Sequence, residues 1–315
     1  MKTIFIAFLL NVSLQAAIAI SKTNYHGWSN SIVMSNGNVE CIVVPAIGRI
    51  MQFKFVGEKD GPFWENVDLR GKAPNPQSSE WLNFGGDKTW PAPQSDWPTI
   101  TPRAWPPPVA FDCLPVSAQI TSNSVTIISP IDPHYKIQTE RTIKLLPGQP
   151  KMSVSTIYQN KGDQSHRVSV WVITQLKDPI RMYVPIPANS LFPEGYNKQS
   201  DQLPPGLKRE GTFLSLSRNR AANHKLGFDA GSLLWIGERE MVRMDSPRVA
   251  GAKYPDKSSS AEIYTNADPL AYVELEMLGP IEELAPGKSI ERTCVYTLLK
   301  RSNKSVELDA QEALK

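Results

Sequence analysis

Cysteine and histidine are scarce in this 315-residue chain, which has three of the one and four of the other. The thiols, Cys41, Cys113 and Cys294, form no C-x-x-C pair, and His26, His134, His166 and His224 include no pair four residues apart. Zinc-finger, zincin and dithiol redox readings therefore fail, and neither a metal nor a cofactor is expected. Three cysteines are also too few for a disulfide-built scaffold. One bridge or three buried thiols both suit their apolar, strand-like surroundings. Nucleotide and esterase signatures are missing too: "GGDKT" places Asp87 between Gly86 and Lys88, no G-x-x-x-x-G-K-[ST] spacing occurs, and there is no G-x-S-x-G elbow. The formal net charge of +3 is spread without a basic run, which argues against nucleic acid as a partner.

Long apolar runs are absent beyond the N-terminus, where Lys2 is followed by "IFIAFLLNV" and then "QAAIAIS", with Ala17 and Ala19 in a small-x-small arrangement. The run falls well short of the roughly 20 residues that span a bilayer. Met1 to Ala19 is expected to be a cleaved secretory signal peptide, so that residues 20–315 form a secreted or periplasmic protein without integral membrane association. Helical periodicity is absent as well, apart from a weak pattern in the last dozen residues.

What the chain does have is short β-branched and aromatic runs separated by Gly, Pro, Asn and Asp. Val39 to Val56, Tyr135 to Leu145, Met152 to Tyr158, Val168 to Leu176, Ser232 to Ile236, Tyr272 to Leu278 and Thr293 to Leu299 read as strands. The expected fold class is all-β, mostly antiparallel, in one domain over 20–315 with long loops. Gly57 to Pro115 is the longest irregular stretch, rich in Pro, Trp and Asn, and such a stretch is unusual in a compact domain unless it lines a site. Within it, "NFGGDKTWPAPQSDWP", Asn83 to Pro98, reads as a shaped loop, because Pro91, Pro93 and Pro98 bring no N–H to a ladder. Trp90 and Trp97 make it either a packed lid or the wall of a binding site.

Three strands carry candidate chemistry. In "YVELEML", period-2 alternation puts Tyr272, Glu274 and Glu276 on one face and Val273, Leu275 and Met277 on the other, so two carboxylates and a phenol share either the wet side of a sheet or the wall of a cleft. Neighbours on one strand do not flank a scissile bond as glycosidase carboxylates do. In "YKIQTERTIKL", Arg141 falls on the apolar face with Tyr135, Ile137, Ile143 and Leu145, which requires a partner: a structural carboxylate, or Glu274, Glu276 or a ligand oxygen. "VSVWVITQL" is apolar on both faces until Thr174 and Gln175.

The segments "VVPAIGRIMQFKFVGEKDGPFWENVDL", "ERTIKLLPGQPKMSVSTIYQNKGDQSHRVSVWVITQL" and "AYVELEMLGPIEELAPGKSIERTCVYTL" together resemble the galactose-mutarotase-like superfamily. The loop "NFGGDKTWPAPQSDW" resembles a bacterial branch of it known as a domain of unknown function. The resemblance spans most of the mature chain and implies a large β-supersandwich with a concave, sugar-binding face. In true mutarotases a His protonates the ring oxygen while a Glu takes the anomeric hydroxyl proton. Here the segment similar to the His-bearing strand is "VWVITQL", with Thr174 and Gln175 but no His, and neither group is a general acid near neutral pH. Glu274 and Glu276 stand as candidates for the base, and Lys88, Asp87 and His166 for a displaced acid. The resemblance further implies a sugar site drawing on Arg49, Asp87, Lys88, Trp90, Gln94, Trp97, Arg141, Gln175 and Tyr272. The leading reading is an exported protein that binds a mono- or oligosaccharide, as an aldose 1-epimerase-like enzyme or as a binding protein without chemistry. A surface-adhesion module of the same fold is the third.

Overall fold

The computed structural model describes residues 17–77, 80–302 and 305–315. The expected leader, Met1–Ala19, lies outside them except for its last three residues. Every run read as a strand from its alternation is one. Val39–Val56 is split in two, Val39–Val44 and Arg49–Phe55, by a 3-10 turn over Pro45–Ile47. Pro45 sets up that turn, and Gly48 closes it in the left-handed region at φ 63°.

Two large antiparallel sheets are stacked. The first, of eleven strands among the described residues, runs from an edge at Ala19–Tyr25 through Arg49–Phe55, Asp87–Ala92, His166–Lys177, Tyr272–Leu278 and Ala261–Thr265 to His224–Phe228 and the short Asn197–Lys198. The second, of ten, is centred on Ser289–Lys300, Lys151–Asn160 and Ile137–Leu145. Val172, Val273, Leu275 and Met277 from the first sheet and Ile143, Val154 and Leu298 from the second meet in one buried cluster. The weak helical pattern at the C-terminus forms Val306–Ala313, whose N-cap Ser305 accepts the Leu308 N–H. No helix among the described residues is long and apolar enough to cross a membrane.

The stretch Asn83–Pro98 departs from its expected form. It is not loop throughout, because Asp87–Ala92 is a strand lying against His166–Lys177, with Pro91 opposite Val170. On its other side this strand meets Arg49–Phe55 only at Ile50 opposite Asp87, so beyond Lys88 that edge is free of a ladder and a proline is tolerated there. Gly85 and Gly86 lead into the strand with φ of 90° and 70°, and a Cβ on either would collide with the Trp64 or Ile50 carbonyl. That close approach lets the Gly86 N–H donate to the Trp64 carbonyl at 2.8 Å and the Gln175 N–H donate to the Gly86 carbonyl at 3.0 Å. The glycines thereby fix where the next six residues begin, and so which of them face outward.

Candidate functional site

The strands Asp87–Ala92, His166–Lys177, Tyr272–Leu278, Ala261–Thr265 and His224–Phe228 are neighbours in that order, and their register stacks polar side chains in rows on the outer face of the sheet. One row reads Gln175, Glu274, Tyr264, Lys225. The next reads Lys88, Ile173, Glu276, Glu262, and a third sets Trp90 beside Trp171. Alternation sends Asp87, Thr174 and Leu275 to the opposite face, into the core. Every residue of Tyr272–Leu278 is buried, so its polar face is not a wet sheet surface but the floor of a covered cleft.

Two lysine–glutamate clusters make up the floor. Lys88, fully buried, holds Nζ 3.5 Å from Glu274 Oε1, which also accepts from Gln175 Nε2 at 2.9 Å. Lys225 Nζ lies 2.7 Å from Glu262 and 3.0 Å from Glu276, and Trp171 Nε1 donates to Glu276 Oε2 at 2.7 Å. Burial pushes the Glu274 carboxyl above the ordinary carboxylate range, and Lys88 pulls it back only in part. Burial pushes the Lys88 ammonium down, against the pull of Glu274. Lys225 goes the other way: burial lowers it, but Glu262 and Glu276 together leave it above the ordinary lysine value. Burial likewise drives Glu262 well up. Burial thus shifts Lys88 and Glu274 toward each other in proton affinity.

The walls are aromatic. Trp81, Trp90, Trp105, Trp171, Tyr264 and Tyr272 line a cavity of about 280 Å³ above the two clusters, with Gln94 and Asn266 at its rim. Lys88 Nζ sits 4.9 Å from the Trp90 ring centroid and 5.7 Å from that of Trp81, while Lys225 Nζ sits 4.5 Å from Trp171. Asp112 anchors two of the tryptophans from behind, accepting from Trp90 Nε1 at 2.9 Å and Trp81 Nε1 at 3.1 Å. Arg49 in turn holds Asp112 at 2.8 Å. Trp105 stands edge-on to Trp81 and Trp90 and is 45% exposed, the one wall tryptophan open to solvent to that degree. A larger hollow of about 410 Å³ beside Pro102, Pro106 and Pro133 has no such convergence; Asp132 there is committed to the backbone N–H groups of His134 and Tyr135.

The residues singled out from sequence are divided by this geometry. Glu274, Glu276, Trp90, Gln94 and Tyr272 line the cavity, with Lys88 and Gln175 immediately beneath it. Asp87 and Arg141 do not reach it. They form a core ion pair on the other face of the sheet, closed by Thr174 and Tyr296, so Asp87 is not placed to bond a sugar hydroxyl and Arg141 lines no cleft. Arg49 is also fully buried and reaches the site only indirectly, through Asp112 and through the Gly85 carbonyl, to which it donates at 2.8 Å. Trp97 is fully buried behind the wall, donating from Nε1 to the Pro91 carbonyl at 2.7 Å and packing on Trp90 and Trp105. His166 stands at the far end of its strand opposite Leu284, away from the acidic pair, and burial lowers it. Of the three acids weighed from sequence, only Lys88 is near a candidate base. All three cysteines are free, buried thiols.

Sequence reasoning passed over Lys225, Glu262, Trp171, Trp81, Trp105 and Tyr264. A usable signal existed for two of them: in "AEIYT", Glu262 and Tyr264 alternate with buried Ile263 exactly as Glu274 and Glu276 alternate with Leu275. The others depend on which strands become neighbours.

No protein-family model matches the chain, and no curated protein matches it in sequence. Solved structures do match in shape. A galactose mutarotase-like protein from Lactobacillus casei ATCC 334 superposes with a TM-score of 0.56 at 11% identity, over 85% of this chain and 99% of its own. The fold is galactose mutarotase-like. The galactose mutarotase related enzyme from Lactobacillus acidophilus agrees, with a TM-score of 0.52 at 11% identity over 87% and 98% of the two chains. So does the Slr1438 protein of Synechocystis sp. PCC 6803, at 0.56 and 12% over 95% and 100%. At this identity the likeness concerns the mutarotase-like fold alone. The cleft of this chain stands on its own residues, among them Gln175 on the strand His166–Lys177, which turns to Glu274, whereas its neighbour Thr174 turns into the core.

Proposed function

We propose that the protein is an exported carbohydrate-binding protein whose cleft takes a pyranose against the tryptophan walls. The observation that carries this reading is the combination of six aromatic side chains with two lysine–glutamate clusters around one cavity of about 280 Å³. That size is near the low end of small-molecule sites, roughly 300–1,000 Å³. A sugar ring presents apolar C–H faces and a polar hydroxyl rim, so it needs aromatic faces and hydrogen-bonding groups from the same site, and this cleft supplies both. Trp105 is the residue that tests it. At 45% exposed it should be replaceable by alanine with a smaller loss of stability than a buried tryptophan, yet saccharide affinity should fall about tenfold, the equivalent of about 1.4 kcal/mol. Trp97→Ala should do the reverse and cost roughly 3–5 kcal/mol of stability by opening a cavity behind the wall. Calorimetry over a panel of mono- and oligosaccharides, with denaturation of both variants, measures each; a purified chain that binds no saccharide at millimolar concentration ends the proposal.

A catalytic reading has one specific observation in its favour, the buried Lys88 held 3.5 Å from Glu274 at the cavity, where burial raises the carboxyl and lowers the ammonium. In an aldose 1-epimerase-like ring opening, Glu274 is the base that takes the anomeric proton. As the C1–O5 bond breaks its electron pair goes to the ring oxygen, which takes the proton back from Glu274, and Lys88, fully buried 3.5 Å away, tunes that transfer as a neighbouring charge without touching the sugar. Mutarotation of a bound sugar, lost in Glu274→Gln while binding persists, is the expected result, and equal rates with and without protein leave the binding reading alone. Export is a separate expectation, checked by an N-terminus near Ile20 on protein recovered outside the cytoplasm.

A further inference from the structure

The carboxylates at the cleft are left with acceptors that nothing in the protein uses. Glu274 commits Oε1 to Lys88 and Gln175, and its Oε2 accepts no hydrogen bond from any described residue although the side chain lines the cavity. Glu276 commits Oε2 to Trp171 and Lys225, and its buried Oε1 has no donor. Gln175 Oε1, beside Glu274, is a second buried acceptor without a partner. An unsatisfied buried acceptor is costly, so two of them, Glu276 Oε1 and Gln175 Oε1, beside the unused Glu274 Oε2 at the cavity describe a ligand rich in N–H or O–H donors.

The charges narrow that ligand further. Neither lysine is free for an anion: Lys88 is fully buried beneath Trp81 and Trp90, and Lys225 is held between Glu262 and Glu276. The oxygens left open belong to carboxylates, and an ammonium offers them three donors and an opposite charge where a hydroxyl offers one donor and none. The tryptophan faces favour a cation for an independent reason, the negative potential of the ring face.

We propose that the cleft selects a sugar carrying a free ammonium group, a 2-amino-2-deoxyhexose or a glycan ending in one, over its neutral and its acidic counterparts. This rests on the sugar-binding reading above and adds the class of sugar. Glu274, with Oε2 open to the cavity, receives the ammonium, and the aromatic walls hold the ring.

The test is calorimetry on the exported chain with glucosamine, N-acetylglucosamine, glucose, glucuronate and tetramethylammonium as probes. Glucosamine is expected to bind at least about tenfold more tightly than glucose, an advantage that N-acetylation removes by removing the charge. Glu274→Gln should bring glucosamine down to the level of glucose while the protein stays folded, its melting temperature lowered by no more than a few degrees. Because the comparison with N-acetylglucosamine uses the unaltered protein, it stands even if that variant fails to fold. Glucose or glucuronate binding as tightly as glucosamine overturns this inference and leaves the sugar-binding reading intact. Binding of tetramethylammonium without any sugar, or of none of the probes, overturns both.

Discussion

Asp87 and Lys88 are consecutive residues of one strand, and they end in opposite electrostatic settings. Asp87 points into the core, where Arg141 of the other sheet, Thr174 and Tyr296 all bond to its carboxylate, and Arg141 Nε turns to Thr156 at 3.2 Å. Lys88 points outward, to a single glutamate 3.5 Å away whose second oxygen stays open. The inner cluster is complete within the protein and ties the two sheets together. The outer cluster is left incomplete at the edge of a cavity. Both bury charge at comparable depth, so burial does not separate a structural ion pair from a site; the number of unspent acceptors does.

Breaking the inner cluster should have the largest effect. Asp87→Ala strands the Arg141 guanidinium in the core, and loss of one partner of a buried pair costs about 3–5 kcal/mol. Denaturant unfolding should show that drop, and a loss below about 1 kcal/mol would erase the distinction between the two clusters.

Next in size is the outer pair, where Glu274→Gln should cost only about 1 kcal/mol near neutral pH, because it keeps the Gln175 contact and the open face. Its signature is in the pH dependence. A carboxyl whose folded pKa is raised contributes stability that is present below its unfolded value, 4.5, and is lost as pH climbs through the folded value. The Gln variant should therefore flatten the decline of stability on the acid side, from about pH 4.5 upward. Lys88, lowered by burial, has the opposite sign: its contribution is present above 10.5 and is lost as pH falls through its depressed folded value. Lys88→Met should flatten that alkaline limb. An unchanged slope in both variants would mean that the pair is solvated and the cleft open to water.

The smallest effect is a labelling rate. Burial pushes Cys294 and Cys113 up to about 12 and raises Cys41 as well, so a thiol reagent near pH 8 should leave all three untouched in the native protein and modify all three after denaturation. Cys41 and Cys294 lie close enough to feel the Asp87 charge. Asp87→Ala should speed their labelling, and Glu274→Gln should not.

Where strands ran in plain alternation, face and burial were both legible: Thr139, Arg141, Ile143 and Leu145 point inward as their period of two requires. The same reasoning placed Glu274 and Glu276 together. It failed at Asp87–Ala92, because prolines and paired glycines mark a loop in any local reading, and only an edge with one neighbour makes a proline harmless there. With the strand unread, Asp87 and Lys88 were assigned one side, when a strand must send them to two.

The sequence by itself determined the sheet-forming character of the chain, the pairing of two carboxylates on one strand face, and the need of Arg141 for a partner, because these follow from side-chain alternation and the cost of burying charge. Which carboxylate Arg141 would meet, and that Lys88 would meet Glu274 across 186 residues of chain, was decided by tertiary structure alone. Strand order is a property of the whole sheet, set by how both sheets bury their inner faces. Only that order brings Lys88, Glu274, Glu276 and Lys225 under one roof of tryptophans.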